Sequence, residues 1–587
     1  MNKTLWLLIP AALLLSGYLY LRHNLRSSIK AEEKRTGQAT VIPDTLRGKR
    51  LSAADLRPLF IKRVQQLVKK SSNGLYNLSV SDLKADITAS TLSLQGVRLV
   101  PDAAVADSLQ RVQQLPADVF TIALDSLHID GINLDDVITS NTMDYRLIKL
   151  IQPVITIHHQ KRQKKKDATQ QGDFSQCFLH EMQKLWVKNV VVEDGTITVY
   201  NDAKKAPPTV LKHVAVRLQH IKVDSTTRGD KERFFFARSG KVSFRNFSRP
   251  TPDGLYTLKI DAATITAPQN EVRLSGLSFT SPFNRSQFSK RLTYRKEWYN
   301  LQLPAVTLTR VNWWALLNEE EVVAEELKTA GGRVDIYLDR SLPSHHRAGV
   351  FQNQLLMKLP IQLQIARAST QGTSFSYAEF NPVSKQTGTV YLDDINLQIA
   401  HLSNEYLPQS PPVVGTGTTR FMHTVPVQAQ FHFDRAPSKT GHFTTSIQIK
   451  GFDGALLNSF ARPLGLVKVE RGTVQSAEVQ LQGNEQKAAG TVLIRYSDLK
   501  MALLEKDNAA KALDKKDFTS LLANLVVLKK DNPKEGASPR METADFEHIP
   551  GGGFFYLVWK TILVGALKTI GAPAKVVSKT IGSDQQK

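Results

Sequence analysis

Two stretches of this chain, about 180 residues apart, carry one pattern. GLYNLSVSDLKADITASTLSLQGVRL begins at Gly74, and GLYTLKIDAATITAPQNEVRLSGLSF begins at Gly254. Gly74, Leu75, Tyr76, Leu78, Leu94 and Gly96 recur without a gap as Gly254, Leu255, Tyr256, Leu258, Leu274 and Gly276. The match continues at nearly the same offset. IALDSLHIDGINLDDV from Ile122 pairs with LQLPAVTLTRVNWWAL from Leu301, VITI from Val154 with RVDI from Arg333, DGTITVY from Asp194 with QGTSFSY from Gln371, and LKHVAVRLQHI from Leu211 with LDDINLQIAHL from Leu392. Repeats of this length belong to architectures that grow by addition. They predict a long surface in preference to one catalytic pocket. The predicted organisation is an N-terminal anchor over 1–26, a linker and basic helix over 27–73, β-rich repeats over 74–253 and 254–440, a closing β module over 441–505, and C-terminal helices over 506–587.

Within the repeats the apolar residues recur every second position. Val190 and Val192, Ile197 and Val199, and Val214, Val216 and Leu218 alternate with polar neighbours, as do Val427, Ala429, Phe431 and Phe433. Strict alternation predicts an antiparallel sheet with one apolar and one wet face. Asp194-Gly195 and Pro252-Asp253-Gly254 read as turns that punctuate it. Two segments break the period, LDDVITSNTMDYRLIKLI from Leu134 and WWALLNEEEVVAEELKTA from Trp313, and both read as short helices. The apolar face has two solutions: two sheets packed into a closed sandwich, or one sheet curled into a U-shaped trough. The length of the repeat and the lack of a linker at its junction favour the trough. Its candidate lining is Val190, Val192, Ile197, Val199, Val214, Val216, Leu218, Val427, Phe431 and Phe433.

The ends point to a membrane. Leu5 to Leu21 is an uncharged, mostly apolar run of 17 residues that includes Trp6 and Leu13. As a helix it spans roughly 25 Å, enough for a bilayer core. The run is long for a signal peptide and no small-residue cleavage site follows it. Further on, Leu56, Phe60, Val64 and Leu67 share a helical face ringed by Arg57, Lys62, Arg63, Lys69 and Lys70, the pattern of a helix lying on headgroups or capping a sheet. A second apolar segment runs from Phe554 to Leu567, interrupted by Lys560 and Thr561. It reads equally as an interfacial helix, with Phe554, Phe555 and Trp559 at the membrane, or as a buried helix that plugs the end of the sheet. The chain carries 76 basic and 54 acidic residues, a formal charge of +22, which suits anionic headgroups or another polyanion. Nucleic acid is disfavoured, because the strand faces are aliphatic where a single-strand binder interleaves aromatic and basic residues. The run KRQKKK from Lys161 reads as a solvated loop.

No reaction chemistry is legible. His180-Glu181 lacks the second histidine of a zinc-protease helix, and His158-His159 and His345-His346 are adjacent pairs that point to opposite faces of a strand. Ser239-Gly240-Lys241 lacks the frame of a phosphate loop, and Cys177 is the sole cysteine. The expectation is a non-enzyme with no catalytic residues, no metal and no cofactor.

Anchor, one-sided repeated strands and terminal helix together resemble the AsmA-like, TamB-type envelope proteins of Gram-negative bacteria. Two stretches carry the likeness: LHIDGINLDDV…LIKLIQPVITI from Leu127, and GFDGALLNSFARPLGLVKVERGTVQSAEVQLQGNEQKAAGTVLIRYSDLKMALL from Gly451. The echo at Val306 to Ile336 has Gly331-Gly332 where the first copy has its proline. The resemblance implies a U-shaped β-groove standing on the inner membrane with its bulk in the periplasm. It also implies movement of membrane phospholipid toward the outer membrane, with outer-membrane or envelope proteins as partners. The basic residues Arg22 and Arg26 after the anchor argue for the opposite topology by the positive-inside rule. The other reading of the same residues is a non-transporting envelope scaffold of closed sandwiches.

Overall fold

A computed structural model of the chain describes most of residues 61–503, 529–548 and 554–577. Residues 1–60, 132–141, 160–183, 202–206, 317–320, 344–350, 437–440, 504–528, 549–553 and 578–587, with scattered single positions, lie outside it. The expectations for Leu5, Trp6, Leu13, Leu21, the helical face at Leu56, Cys177 and KRQKKK all fall on residues outside this description. Among the described residues the chain is mostly β, and 23 strands hydrogen-bond into one mixed sheet. It divides into two compact units that interleave along the chain: residues 1–254, 258–274 and 310–320 form the first, and residues 255–257, 275–309 and 321–587 the second.

The first unit holds β1 (Tyr76–Ser79), β2 (Asp82–Asp86), β3 (Thr91–Pro101), α1 (Ala103–Arg111), β4 (Asp118–Asp130), β5 (Thr142–Ile151), β6 (Val154–His159), β7 (Lys184–Asn201), β8 (Thr209–Asp224), β9 (Ser239–Pro250) and β10 (Thr257–Thr266). β4 pairs antiparallel with β5 and β6, which follow one another along it. Both then run parallel to β7, which pairs antiparallel with β8. A parallel return needs a connection of a dozen or more residues, and residues 160–183 supply it.

The division crosses β11 (Glu271–Thr280). The second unit continues with α2 (Arg285–Ser289), β12 (Trp298–Thr309), β13 (Glu321–Ala330), β14 (Arg333–Asp339), α3 (Gln352–Met357), β15 (Gln362–Asn381) and β16 (Gln386–Ser403). There follow β17 (Val413–Phe421), β18 (Val425–Phe433), β19 (Phe443–Ile449), β20 (Phe452–Asp453), α4 (Asn458–Gly465), β21 (Val467–Gly483), β22 (Lys487–Leu503), β23 (Met541–Glu547) and α5 (Phe554–Thr569). β12 pairs with β13 and β14, and both run parallel to β15, the same arrangement as β4 through β7.

Two sequence expectations are corrected here. The helices expected from Leu134 and from Trp313 are strands wherever those segments are described: Thr142–Ile151 is β5 and Glu321–Ala330 is β13, with only a short helical turn at Trp313. EVVAEELKTA favours a helix locally. In the fold its backbone is claimed on both sides, antiparallel to β12 and parallel to β15, and that pairing overrides propensity. The expected antiparallel pairing holds for most strand pairs, and the parallel pairs β5–β7, β6–β7, β13–β15 and β14–β15 make the sheet mixed.

The alternation is interrupted by stutters, and each stutter has a backbone cause. In β8, Val214, Val216 and Leu218 are buried, then Ile221 and Val223. His220, between the two sets, has a φ of 52°, in the left-handed region. One such residue shifts the side-chain parity by one position, so the apolar set stays on one face. His401 (φ 58°) does the same in β16. The left-handed positions recur between repeats: Gly74 with Gly254, Ser90 with Asn270, Gly96 with Gly276. Asp194-Gly195, expected as a turn, lies inside the 18-residue β7, where the pairing with β8 shifts register. Gly372-Thr373 in β15 and Gly472-Thr473 in β21 mark equivalent shifts. Opposite them stand His213, Asp394 and Asp498, each left-handed.

Candidate functional site

The ten candidate lining residues fall in two places. In the first unit Val190, Val192, Ile197, Val214, Val216 and Leu218 are all buried, and Val199 is half-buried. This face is closely packed around Val192: the void beside Pro153, Gly195 and Val214 is only about 10 Å³. In the second unit Val427, Phe431 and Phe433 lie half-buried along β18, with exposed Gln428 and Gln430 facing the other way.

What covers part of that second face is α5. Its residues are apolar on nearly every side, and most of them are buried. Phe554 at its start is 3% exposed, with its ring 4.9 Å from Phe443, 5.3 Å from Phe433, 5.7 Å from Phe351 and 6.0 Å from Phe431. Further along, Gly565 lets the helix backbone close on β22. A Cβ there would sit 2.5 Å from Val492 Cγ2. Thr561 and Thr569 turn their hydroxyls back to the Leu557 and Gly565 carbonyls at 2.8 Å, so neither brings an open polar group into the interface. Lys568 Nζ donates to the Thr543 carbonyl at 3.0 Å and fastens the last turn to β23.

A second short helix, α4, is held by its polar residues. The Asn458 side chain exchanges two 2.8 Å hydrogen bonds with the Val469 backbone, and Asn381 and Ser384 both donate to the Pro463 carbonyl at 2.8 Å. Phe460 of α4 meets Trp559 of α5 edge to face at 5.0 Å. The two helices and the sheet thereby enclose a chamber of about 360 Å³, partly open to solvent. Its walls come from β15, β16, β21, β22 and the two helices, and include Leu392, Val469, Met501, Ile562 and Leu563. Glu379 is the single charged side chain among the described lining residues.

Glu379 belongs to a buried polar cluster beside the chamber. Arg340 Nη1 donates to its Oε1 at 2.9 Å and the Tyr377 hydroxyl to its Oε2 at 3.1 Å. Lys560 of α5 lies 5.5 Å from the Tyr556 ring and is 3% exposed. Burial pushes the Lys560 amine down to about 8, Glu379 opposes that shift, and Arg340 adds to it. Burial also raises the Tyr377, Tyr556 and Glu297 groups, the last against a hydrogen bond from Tyr299. Buried ion pairs of this kind contribute little net stability but penalise any arrangement that separates them.

Of the residues expected at a membrane surface, Phe554 is inside the aromatic cluster and Trp559 lines the chamber against Phe460. Phe555 also lines the chamber and remains 44% exposed, its ring 5.6 Å from Phe375. The sequence reading missed Phe460, Leu464 and the β21–β22 wall. Their signal was present as alternation in Val467, Val469, Ala477 and Val479, but the helices that roof them are distant in sequence. Among the described residues no three His, Cys, Asp or Glu side chains are grouped to hold a metal ion, and no helix is long and apolar enough to cross a membrane. No protein-family model and no curated protein matches this chain.

Proposed function

We propose that this protein is an inner-membrane-anchored carrier that moves phospholipid acyl chains along the apolar face of its curled β-sheet, through the periplasm toward the outer membrane. The observation that carries the reading is the chamber of about 360 Å³ on that face of the second unit, walled by apolar side chains. The resemblance of the sequence to AsmA-like envelope proteins and the apolar run at Leu5 to Leu21 support it. Leaving one methylene in water costs about 0.8 kcal/mol, so a chain of about 16 carbons faces a barrier of about 13 kcal/mol when it crosses water unaided. An apolar face keeps the chain dry while the headgroup stays wet, and a face without deep polar anchors releases what it binds.

The test is transfer of fluorescent phospholipid between donor and acceptor vesicles by the full chain. Introducing Val427→Asp, Phe431→Asp and Phe433→Asp together is expected to reduce transfer to background. A folded triple variant that transfers at the full rate refutes the carrier. A second reading, a non-transporting envelope scaffold, is favoured by the close packing around Val192, where only about 10 Å³ is open. It predicts that neither the parent chain nor the variant transfers lipid.

A further inference from the structure

We infer that the chamber between α4, α5 and the β15–β22 sheet is a saturable binding site for one acyl chain of a membrane amphiphile, whose head stays in water at the open side. The inference rests on the lipid reading above but goes beyond it. It assigns a bounded seat with a chain-length limit, where a carrier face needs only a continuous track.

Three observations lead to a hydrocarbon chain as the occupant. The volume, about 360 Å³, lies within the roughly 300–1,000 Å³ range of ligand pockets. An apolar cavity of even about 150 Å³ stays dry and takes up hydrocarbon, and the walls of this chamber are of the same apolar kind. A polar or heterocyclic ligand needs groups that fix its orientation. The charged wall residue, Glu379, is already engaged by Arg340 at 2.9 Å and by the Tyr377 hydroxyl at 3.1 Å. The remaining wall mixes flexible Met501 with aliphatic Leu464 and Ile562 and the rings of Phe460 and Trp559, a surface that packs against a chain and reads no functional group.

Trp559 supplies the probe, because bromine atoms on an acyl chain quench indole fluorescence only at contact. The full chain has six tryptophans, so Trp559→Phe isolates the signal from this one while keeping an aromatic wall. Titration of the full chain with dibrominated stearic acid is expected to give saturable quenching that Trp559→Phe largely abolishes. Ala566→Phe or Ala461→Leu, which place bulk inside the chamber, are expected to weaken binding at least about tenfold, the equivalent of about two displaced methylenes. Dibrominated octanoate is expected to bind far more weakly than stearate.

Equal quenching in the parent chain and in Trp559→Phe overturns the inference, as does the absence of saturation. If both filling variants fold, by circular dichroism, and bind as the parent does, it is likewise overturned. Vesicles of dibrominated phosphatidylcholine separate the sources. Quenching by them identifies a phospholipid chain, and quenching by stearate alone identifies a free single-chain amphiphile; either result supports the seat. Loss of vesicle-to-vesicle transfer with Trp559 quenching intact refutes the carrier and leaves the seat standing.

Discussion

Lys560 is a cation on a helix that is otherwise apolar, and it is buried. Its neighbours are Glu379 and Arg340, with the Tyr556 ring 5.5 Å away on its own helix. Because burial lowers the folded-state pKa to about 8, the folded chain has released a proton that the unfolded chain still holds between about pH 8 and the ordinary lysine range. Folding stability therefore rises with pH across that window. Below about pH 8 the amine is charged in both states and the cost of burying it, on the order of 3 kcal/mol, is fully present. Lys560→Met is expected to stabilise the second unit at pH 7 and to remove the rise between pH 8 and 10, as read from denaturant midpoints at both ends of that range. A variant less stable than the parent at pH 7 means that attraction to Glu379 outweighs burial. A second residue-scale expectation concerns His220, whose φ is 52°. His220→Val forces a β-branched side chain into the left-handed region and is expected to cost about 1–2 kcal/mol, whereas His220→Gly is expected to be close to neutral.

At the scale of the element, α5 is held by fit. Phe554 fills a socket of four phenylalanines, and Gly565 allows contact with Val492 and Ala544. Phe554→Ala leaves a cavity and is expected to cost about 3–5 kcal/mol. Gly565→Leu drives side-chain atoms into Val492 and is expected to lift the helix from β22. Limited proteolysis reads both: cleavage after residue 548 should accelerate in each variant while the strands of the first unit stay protected. Resistance equal to the parent's would show that α5 is not docked through these residues. Asn532 closes the same end of the sheet. It is fully buried, donates to the Ile494 and Arg540 carbonyls at 2.6 and 3.0 Å, and accepts from the Arg540 amide at 2.8 Å.

For the whole molecule, the organising fact is the duplication of strand order as well as sequence. β4 to β8 and β12 to β16 share pairing, parallel return and register shift. β21 and β22 repeat the Gly-Thr shift a third time, with Arg471 bonded to Asp498 at 3.0 Å much as Asp194 is to His213 at 2.8 Å. Architectures of this kind present surfaces of many equivalent positions, so on the proposed carrier reading a single substitution on the apolar face is expected to have a small effect on transfer. Val427→Asp alone, at a half-buried position of β18, tests this in the vesicle assay. Loss of most transfer from that one change in a folded protein would point to a discrete site in place of a track.

The sequence alone determined whatever depends on neighbours along the chain. Period-two runs such as Val214, Val216 and Leu218 set strands and their apolar side, and the Gly74–Gly254 echo set the repeat, because side-chain alternation and glycine's access to left-handed φ are local properties. Only the tertiary structure decided what depends on distant partners. The segment EVVAEELKTA became β13 because β12 and β15 compete for its backbone, and no local preference records that. The parallel returns came from connections whose course the pattern does not encode. Phe554 and Trp559, apolar and aromatic beside Lys560, read equally as a membrane helix or a buried one. The socket made by Phe351, Phe431, Phe433 and Phe443 buries Phe554, since burial is a property of what packs against a surface and not of the surface itself.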